Sequence, residues 1–395
     1  MRVTHIITRL ILGGAQENTV ASVLGLRKKA GLEVDLISGP TSGPEGSLEH
    51  LFADCPEALS VVPSLIRPVR PWSDWLALRH LTDVLRTRRP DIVHTHSGKA
   101  GVLGRLAAAR AGVPLVLHTI HGPSFGSFQG ALANSLFRFA EARASRVTDH
   151  FVVVADAMKR QYLAAGIGRP DQFTRILSGF ALEPFLTATN DLELRARLGL
   201  EADDIVVGKI ARLVERKGHG DLIAIAPALI KTCPRMKFLL VGDGKWRERF
   251  TGQVAAMGLE KHFVFAGLVP PAAVAQLVGV MDLLVHLSAR EGLPRAIPQA
   301  MAAGRPVVAY DCDGSGEVCH DNETGFLVPP GDLAVLMARL VSLAKDPTLR
   351  KRLGARGQEE VRNSFSTERM VDDLHHLYLR LYRGLAAATP LAAGS

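Results

Sequence analysis

The sequence predicts an α/β protein of two domains, each built on a doubly wound parallel sheet. Three observations carry this reading. The chain has 395 residues, room for two domains at the usual size of roughly 150 residues each. Short β-branched runs alternate with longer amphipathic ones, the pattern of a parallel sheet covered on both faces. That alternation starts afresh after Gly179-Phe180, so the same architecture is used twice without a sequence repeat.

In the first half the expected strands are Val3–Thr8, Glu33–Ser38, Asp91–Thr95, Pro114–Thr119 and Phe151–Val154. Helical patterns fall between and after them at about 15–29, 73–89, 98–111, 129–146 and 155–165. The second half repeats the scheme with strands at Ile205–Ile210, Lys237–Val241, Phe263–Ala266, Asp282–His286 and Pro306–Ala309. Asp332–Ala344, Pro347–Arg362 and Thr367–Leu385 read as terminal helices. The expected domains are 1–183 and 184–395, and the last helix, about 367–385, is a candidate to pack back onto the first.

Composition narrows the function. Hydrophobic residues at 47% can fill two cores, and 22% charged residues with few low-complexity stretches argue against disorder. No apolar run reaches the roughly 20 residues that span a bilayer. The N-terminus reads as an opening strand rather than a signal peptide, so a cytoplasmic location is expected. Cys55, Cys233, Cys312 and Cys319 show no metal-type spacing and suit reduced thiols. Residues 1–183 hold 21 Lys+Arg against 15 Asp+Glu, net +6, and the remainder 26 against 24, net +2. A basic first half suits an anionic membrane surface or a phosphorylated acceptor, or is simply a solvated surface. No nucleic-acid-binding module accompanies the charge, so nucleic acid is not an expected partner.

Four segments carry candidate chemistry. Gly13-Gly14 follows the first strand and opens a helix, where glycines let backbone amides approach a ligand; a plain strand-to-helix turn explains it equally. Arg212 and Lys217 lie between a strand end and a helix N-terminus, where two cations and the helix dipole suit a diphosphate; a charged surface turn explains the spacing equally. Glu291 stands ahead of the next helix and is placed to accept hydrogen bonds from sugar hydroxyls, with Gln299 further along the same helix as a ribose contact. In that helix Pro294 suits the first position and Pro298 the first turn. Asp313-Gly314-Ser315-Gly316-Glu317 reads as small residues opening a helix, a possible anion nest.

Taken together these segments resemble the retaining glycosyltransferases of family four, whose GT-B fold is two Rossmann-like domains facing across a cleft. The likeness covers nearly the whole chain and is carried by Ala211-Arg212-Leu213, Lys217-Gly218, Val241-Gly242-Asp243-Gly244, Phe265-Ala266-Gly267, Glu291-Gly292-Leu293, Ala300 to Ala309, and Glu317 with Thr324 to Asp332. In the first domain it rests on Gly13-Gly14, Asp91 to His96 and His118 to Gly122. The resemblance implies a nucleotide diphosphate sugar donor, no metal or other cofactor, and a glycan or lipid-linked acceptor in cell-envelope or exopolysaccharide synthesis. It implies that Arg212 and Lys217 hold the diphosphate, that Glu291 contacts the transferred sugar, and that His121 lies near the reaction centre. Gly13, Gly14, Gly242, Gly244, Gly267, Leu268, Gly292, Leu293, Arg295, Gln299 and Glu317 would contact the donor. In this family the departing phosphate is usually described as taking the acceptor's proton on the front face.

The sequence departs from the family pattern twice. Gln299 replaces the second of two glutamates eight positions apart, and Pro294 stands where glycine is common and removes a backbone donor. His94, His96 and His118 also sit at strand ends and compete with His121. The rival readings are a dinucleotide oxidoreductase, which lacks its third glycine, a GT-B nucleotide-sugar epimerase, and a silent sugar-nucleotide-binding subunit. Ser64 to Trp72 mixes cations with apolar side chains and, with Arg79, Arg86, Arg88 and Arg89, suggests peripheral contact with the inner face of the plasma membrane.

Overall fold

Strand β1 (Arg2–Ile7) is buried at every residue after the first, as a strand covered by helices on both faces must be. The computed structural model describes residues 1–43, 46–96, 98–126 and 128–388. They fall into two compact units, the first Met1–Phe180 together with the chain from Thr367 onward, the second Ala181–Ser366.

In the first unit β1 pairs with β2 (Glu33–Ser38), and β2 with the short β3 (Leu59–Val61). On its other side β1 pairs with β4 (Ile92–His96), followed by β5 (Leu115–Ile120), β6 (His150–Val153) and β7 (Phe173–Arg175). All pairings are parallel, in the order β3-β2-β1-β4-β5-β6-β7. The strand order reverses between β1 and β4. The covering helices are α1 (Gly14–Leu26), α2 (Pro71–Arg88), α3 (Gly98–Ala111), α4 (Ala131–Ser145) and α5 (Asp156–Ala164). Helix α2 starts at Pro71 and stops at Arg89, whose left-handed backbone (φ 48) precedes Pro90; proline cannot continue a helix.

The chain's last helix (Thr367–Ala388), counted α14 once the second unit is described, belongs to this first unit. Its apolar stripe Met370, Val371, Leu374, Leu377 and Tyr378 has helical spacing and is buried with Val20, Val23 and Leu26 of α1. Gly25 makes the crossing close, since a Cβ there would lie 2.4 Å from Val371.

The second unit opens with α6 (Glu183–Leu186) and α7 (Leu192–Arg197), then alternates β8 (Ile205–Ile210), α8 (His219–Thr232), β9 (Met236–Val241), α9 (Arg247–Ala256), β10 (Phe263–Gly267), α10 (Pro271–Gly279), β11 (Leu283–His286), α11 (Ala296–Ala302), β12 (Val307–Tyr310) and β13 (Gly325–Val328). Helices α12 (Leu333–Lys345) and α13 (Pro347–Arg362) close it before α14. The sheet is parallel in the order β10-β9-β8-β11-β12-β13, reversing between β8 and β11. Its core joins Val207, Phe238, Leu240, Val285 and Val308 with Leu222, Leu229, Leu336 and Leu340 from α8 and α12.

Two expectations are corrected. The segment Asp313–Glu317 does not open a helix: Ser315–Glu317 is one 3-10 turn. Helix α11 begins at Ala296, so Pro294 precedes it, while Pro298 sits in the first turn, where its missing N–H has no partner to lose. The last helix, a candidate to pack back onto the first domain, does cluster with the first unit from Thr367 onward.

Candidate functional site

In an open parallel sheet, the loops leaving two strands at the switch point run in opposite directions and leave a crevice beyond the carboxyl ends. In the second unit those strands are β8 and β11, and the loops that follow them carry Arg212, Lys217 and Glu291. Ala289 N donates to Arg216 O at 3.1 Å, tying the loops together.

Lys217 Nζ and Glu291 Oε1 form an ion pair, with side chains 20% and 16% exposed. His286, the last residue of β11 and buried, donates from Nε2 to the same Glu291 oxygen at 3.1 Å. Burial alone would raise the Glu291 carboxyl. The hydrogen bond from His286 and the charge of Lys217 outweigh it and hold the group well below the usual carboxylate range. Burial pushes His286 down, against the pull of Glu291, so it stays a neutral donor. The Glu291 amide in turn donates to Asp313 Oδ2 at 2.7 Å, and Gly314 N to Gly292 O at 3.1 Å. The turn after β12 thereby holds the Glu291 loop. Asp313 adopts a left-handed backbone (φ 46) to do this.

Gly218, which separates Lys217 from α8, has φ 65, and a Cβ on it would lie 2.1 Å from Leu287 O. Only glycine lets the loop after β8 come this close to the end of β11, and that approach brings Lys217 to Glu291. Arg212 is exposed, and its guanidinium makes no hydrogen bond or ion pair among the described residues. Of the two cations singled out in the sequence, Lys217 is thus committed to Glu291 and Arg212 is not. Beneath it Lys209 of β8 is 1% exposed with its amine unpartnered among the described residues. Burial and then repulsion from Lys217 bring it down to about 7, against the pull of Glu291 and Asp221.

The glycines after β9 have a local explanation. A Cβ at Gly242 would lie 2.3 Å from Ala211 O and one at Gly244 2.6 Å from Leu213 O. Leu213 N donates to Asp243 O at 3.0 Å. These residues therefore brace the Arg212 segment, whatever ligand is bound. Gly267 bridges to Gly242, and Leu268 beyond it is 50% exposed. Leu293 is buried, Arg295 caps α11, Gln299 stands half-buried on that helix, and Glu317 is half-buried in its 3-10 turn. His286 was missed as a site residue, and Asp313, read as part of an anion nest, instead accepts from the Glu291 amide. The signal for His286 was its place at a strand end five residues before Glu291.

In the first unit Gly13 is the extended N-cap of α1 and Gly14 its first residue, beyond the loop that follows β1. His121 directly follows β5, partly buried, and burial pushes it down to about 4. It is not isolated: its Nε2 lies 3.0 Å from Nδ1 of His96 on β4, which itself lies 2.9 Å, through Nε2, from Nδ1 of His5 on β1. The imidazoles weighed as competitors of His121 thus divide. His96 joins it, while His118 bonds Thr95 instead, at 2.9 Å.

Glycosyl transferases group 1 matches residues 190–360, and Glycosyl transferase 4-like domain matches residues 13–178. The chain is 27% identical, over 96% of its length and 97% of the relative's, to an Escherichia coli UDP-Gal:alpha-D-GlcNAc-diphosphoundecaprenol alpha-1,3-galactosyltransferase. It is 31% identical to EpsD of Bacillus subtilis strain 168, over 76% of this chain and 79% of EpsD. Among solved structures, Anabaena HepE in complex with UDP-glucose superposes with a TM-score of 0.81 at 23% identity, covering 96% of this chain and 100% of that one. That likeness establishes the fold.

Proposed function

This chain belongs to the group 1 glycosyltransferases, and on that premise we propose that it transfers a hexose from a nucleotide diphosphate donor to a lipid-linked glycan, with retention and without a metal ion. The observation that carries the reading is the switch-point site of β8 and β11, where an uncommitted Arg212 accompanies a Lys217 held against an ionised Glu291. When the bond from the anomeric carbon to the phosphate oxygen breaks, negative charge collects on the leaving diphosphate. Arg212, Lys217 and the N-terminus of α8 supply the positive field that a metal would otherwise provide. Glu291, kept anionic, accepts from sugar hydroxyls. Retention follows if the acceptor oxygen bonds the anomeric carbon on the face the phosphate leaves and passes its proton to that phosphate. No carboxylate nucleophile is then needed.

A uridine donor and a polyprenyl diphosphate acceptor are supported by the Escherichia coli relative, whose name specifies both, and by the UDP-glucose complex of HepE. No described helix is long and apolar enough to cross a membrane. A lipid-linked acceptor would instead be met at the surface. Leu132, Leu136 and Phe139, spaced i, i+4, i+7 on α4, are 87%, 57% and 69% exposed, and Arg138, Arg143 and Arg146 are exposed beside them. Trp72 and Trp75 stack at 4.9 Å at the start of α2, with exposures of 68% and 43%. An apolar stripe flanked by arginines suits an anionic interface on the cytoplasmic side; the four free thiols suit a reducing compartment.

The test is transfer from UDP-galactose, UDP-glucose and UDP-N-acetylglucosamine, with and without EDTA, to a short polyprenyl diphosphate sugar, the product's anomeric configuration being read by NMR. Transfer with retention in EDTA is expected. Inversion, or loss of transfer in EDTA, would overturn the mechanism. Donor interconversion without acceptor would mean an epimerase, and binding without turnover a silent subunit. Leu136→Asp with Phe139→Asp is expected to abolish sedimentation with anionic liposomes at low salt while leaving donor hydrolysis intact. Equal sedimentation of variant and parent would remove the α4 surface from the proposal.

A further inference from the structure

The imidazoles behind His121 form one continuous chain of side-chain hydrogen bonds. It starts at Thr119 Oγ1, 2.6 Å from His94 Nε2; His94 Nδ1 lies 2.5 Å from the Tyr378 hydroxyl. That hydroxyl lies 3.2 Å from His5 Nε2, His5 Nδ1 lies 2.9 Å from His96 Nε2, and His96 Nδ1 lies 3.0 Å from His121 Nε2. Every link before His121 is buried, none more than 4% exposed. Three strands of the first unit, β1, β4 and β5, and its C-terminal helix α14 contribute to it.

Burial keeps these rings neutral: it pushes His5 down to about 3 and His94 and His96 well below the ordinary histidine value. A neutral imidazole has one donor and one acceptor nitrogen. In an unbranched chain where both nitrogens of each ring are engaged, the direction of one hydrogen bond therefore dictates all the others. Tyr378 joins the two halves, because its hydroxyl accepts from one ring and donates to the other. At the far end we assign the Thr119 hydroxyl as the donor to His94 Nε2, 2.6 Å away. His94, His5 and His96 then each carry the proton on Nδ1, and His121 Nε2 accepts.

We propose that this chain fixes the tautomer of His121, leaving Nδ1–H as its free donor, and that Tyr378, His5 and His96 are positioning residues for it. The single tautomer rests on the unbroken hydrogen-bond chain, the burial that keeps its rings neutral and the donor assigned at Thr119; its effect on turnover rests on the reading that places His121 at the reaction centre. A metal ion is the competing use of these rings, since His5, His94 and His96 offer nitrogens within 4.8 Å of one another. Their nitrogens are already paired with one another, Thr119 and Tyr378. The charges acting on His94 and His96 come from other imidazoles, with no carboxylate to balance a buried dication.

The full chain labelled with 15N-histidine separates these outcomes. Long-range 1H–15N correlations, with His121 assigned through His121→Asn, are expected to show a single tautomer protonated at Nδ1. Tyr378→Phe keeps the ring and removes only the hydroxyl that joins the two halves. It is expected to convert the His121 signals to a mixture of tautomers and to lower kcat about tenfold, with donor KM within twofold and an unchanged thermal midpoint. Thr119→Val should produce the same mixing from the far end, which guards against a variant of Tyr378 that fails to fold. An unaltered His121 tautomer in both variants would overturn the proposal, as would stoichiometric transition metal lost in His5→Ala. Tautomer mixing with normal kcat would leave the chain standing and remove His121 from the reaction centre.

Discussion

The switch points of the two sheets hold polar side chains in opposite electrical states. Between β8 and β11 an ammonium, a carboxylate and an imidazole meet with side chains 20%, 16% and 6% exposed. Between β1 and β4 the rings of His5, His94 and His96 are at most 1% exposed, and burial holds them uncharged. Charge survives in the first place because each ion has its counter-ion and some access to water. In the second, polarity is kept by hydrogen bonds that need no charge. On the proposed reading, the same crevice geometry serves two kinds of work: stabilising charge on one sheet and placing a proton on the other.

The largest expected effect tests the charged side. Lys217→Ala and Arg212→Ala should each cost about 2–4 kcal/mol of transition-state stabilisation, roughly 30- to 1000-fold in turnover, read by steady-state kinetics. Near-parental rates in both would erase the contrast, because the second unit would then do no work by charge. Gly218→Ala comes next, since a Cβ would meet Leu287 O at 2.1 Å with φ at 65. A loss of about 2 kcal/mol or more of stability is expected, measured by thermal unfolding, and a neutral outcome would mean the Lys217 loop is not pinned.

A smaller effect sharpens the comparison through pH. The folded state lowers the Glu291 carboxyl, so its contribution is present above the ordinary carboxylate value and is lost as pH falls through the depressed one. Glu291→Gln should thus lower stability by about 2 kcal/mol at neutral pH. The gap from the parent should narrow only under strongly acidic conditions. The smallest effect has the opposite sign. Lys209 has its folded value lowered to about 7, so burying it costs most below that pH and nothing once the unfolded chain also loses its proton, near the ordinary lysine value of about 10.4. Lys209→Met should stabilise the protein by about 1 kcal/mol below neutral pH, with the gain fading in alkali. A gain independent of pH would show that packing, not charge, decides this position.

Much of both sheets was legible because the long buried strands announce themselves. Glu33–Ser38 and Ile205–Ile210 were read with the same ends the structure shows. The strands missed, Leu59–Val61, Phe173–Arg175 and Gly325–Val328, are three or four residues long and lie at sheet edges. Such runs are too short for periodicity to register, and only a neighbouring strand makes them extended. Gly242 and Gly244 were assigned to a ligand on their motif; the structure adds that each one is packed against the backbone of the Arg212 segment. Arg212, Lys217 and Glu291 were singled out from charge and position in the sequence, and the structure brings Lys217 and Glu291 together. The hydrogen bonds from His286 to Glu291 and from Glu291 to Asp313 were not legible, because they require β11 to lie between β8 and β12.

By itself the sequence determined the alternation of strand and helix, the two-fold use of one architecture and the cations at a strand-to-helix turn. These depend on periodicity and on residue types close together in the chain. Tertiary structure decided which strands became neighbours, which core received the final helix, and hence that Tyr378 meets His94 across 284 positions. An amphipathic stripe states that a helix must be buried, and the free energy of burial is nearly indifferent to which apolar partner does it. Only the shape of a particular core, here the close crossing at Gly25, selects one.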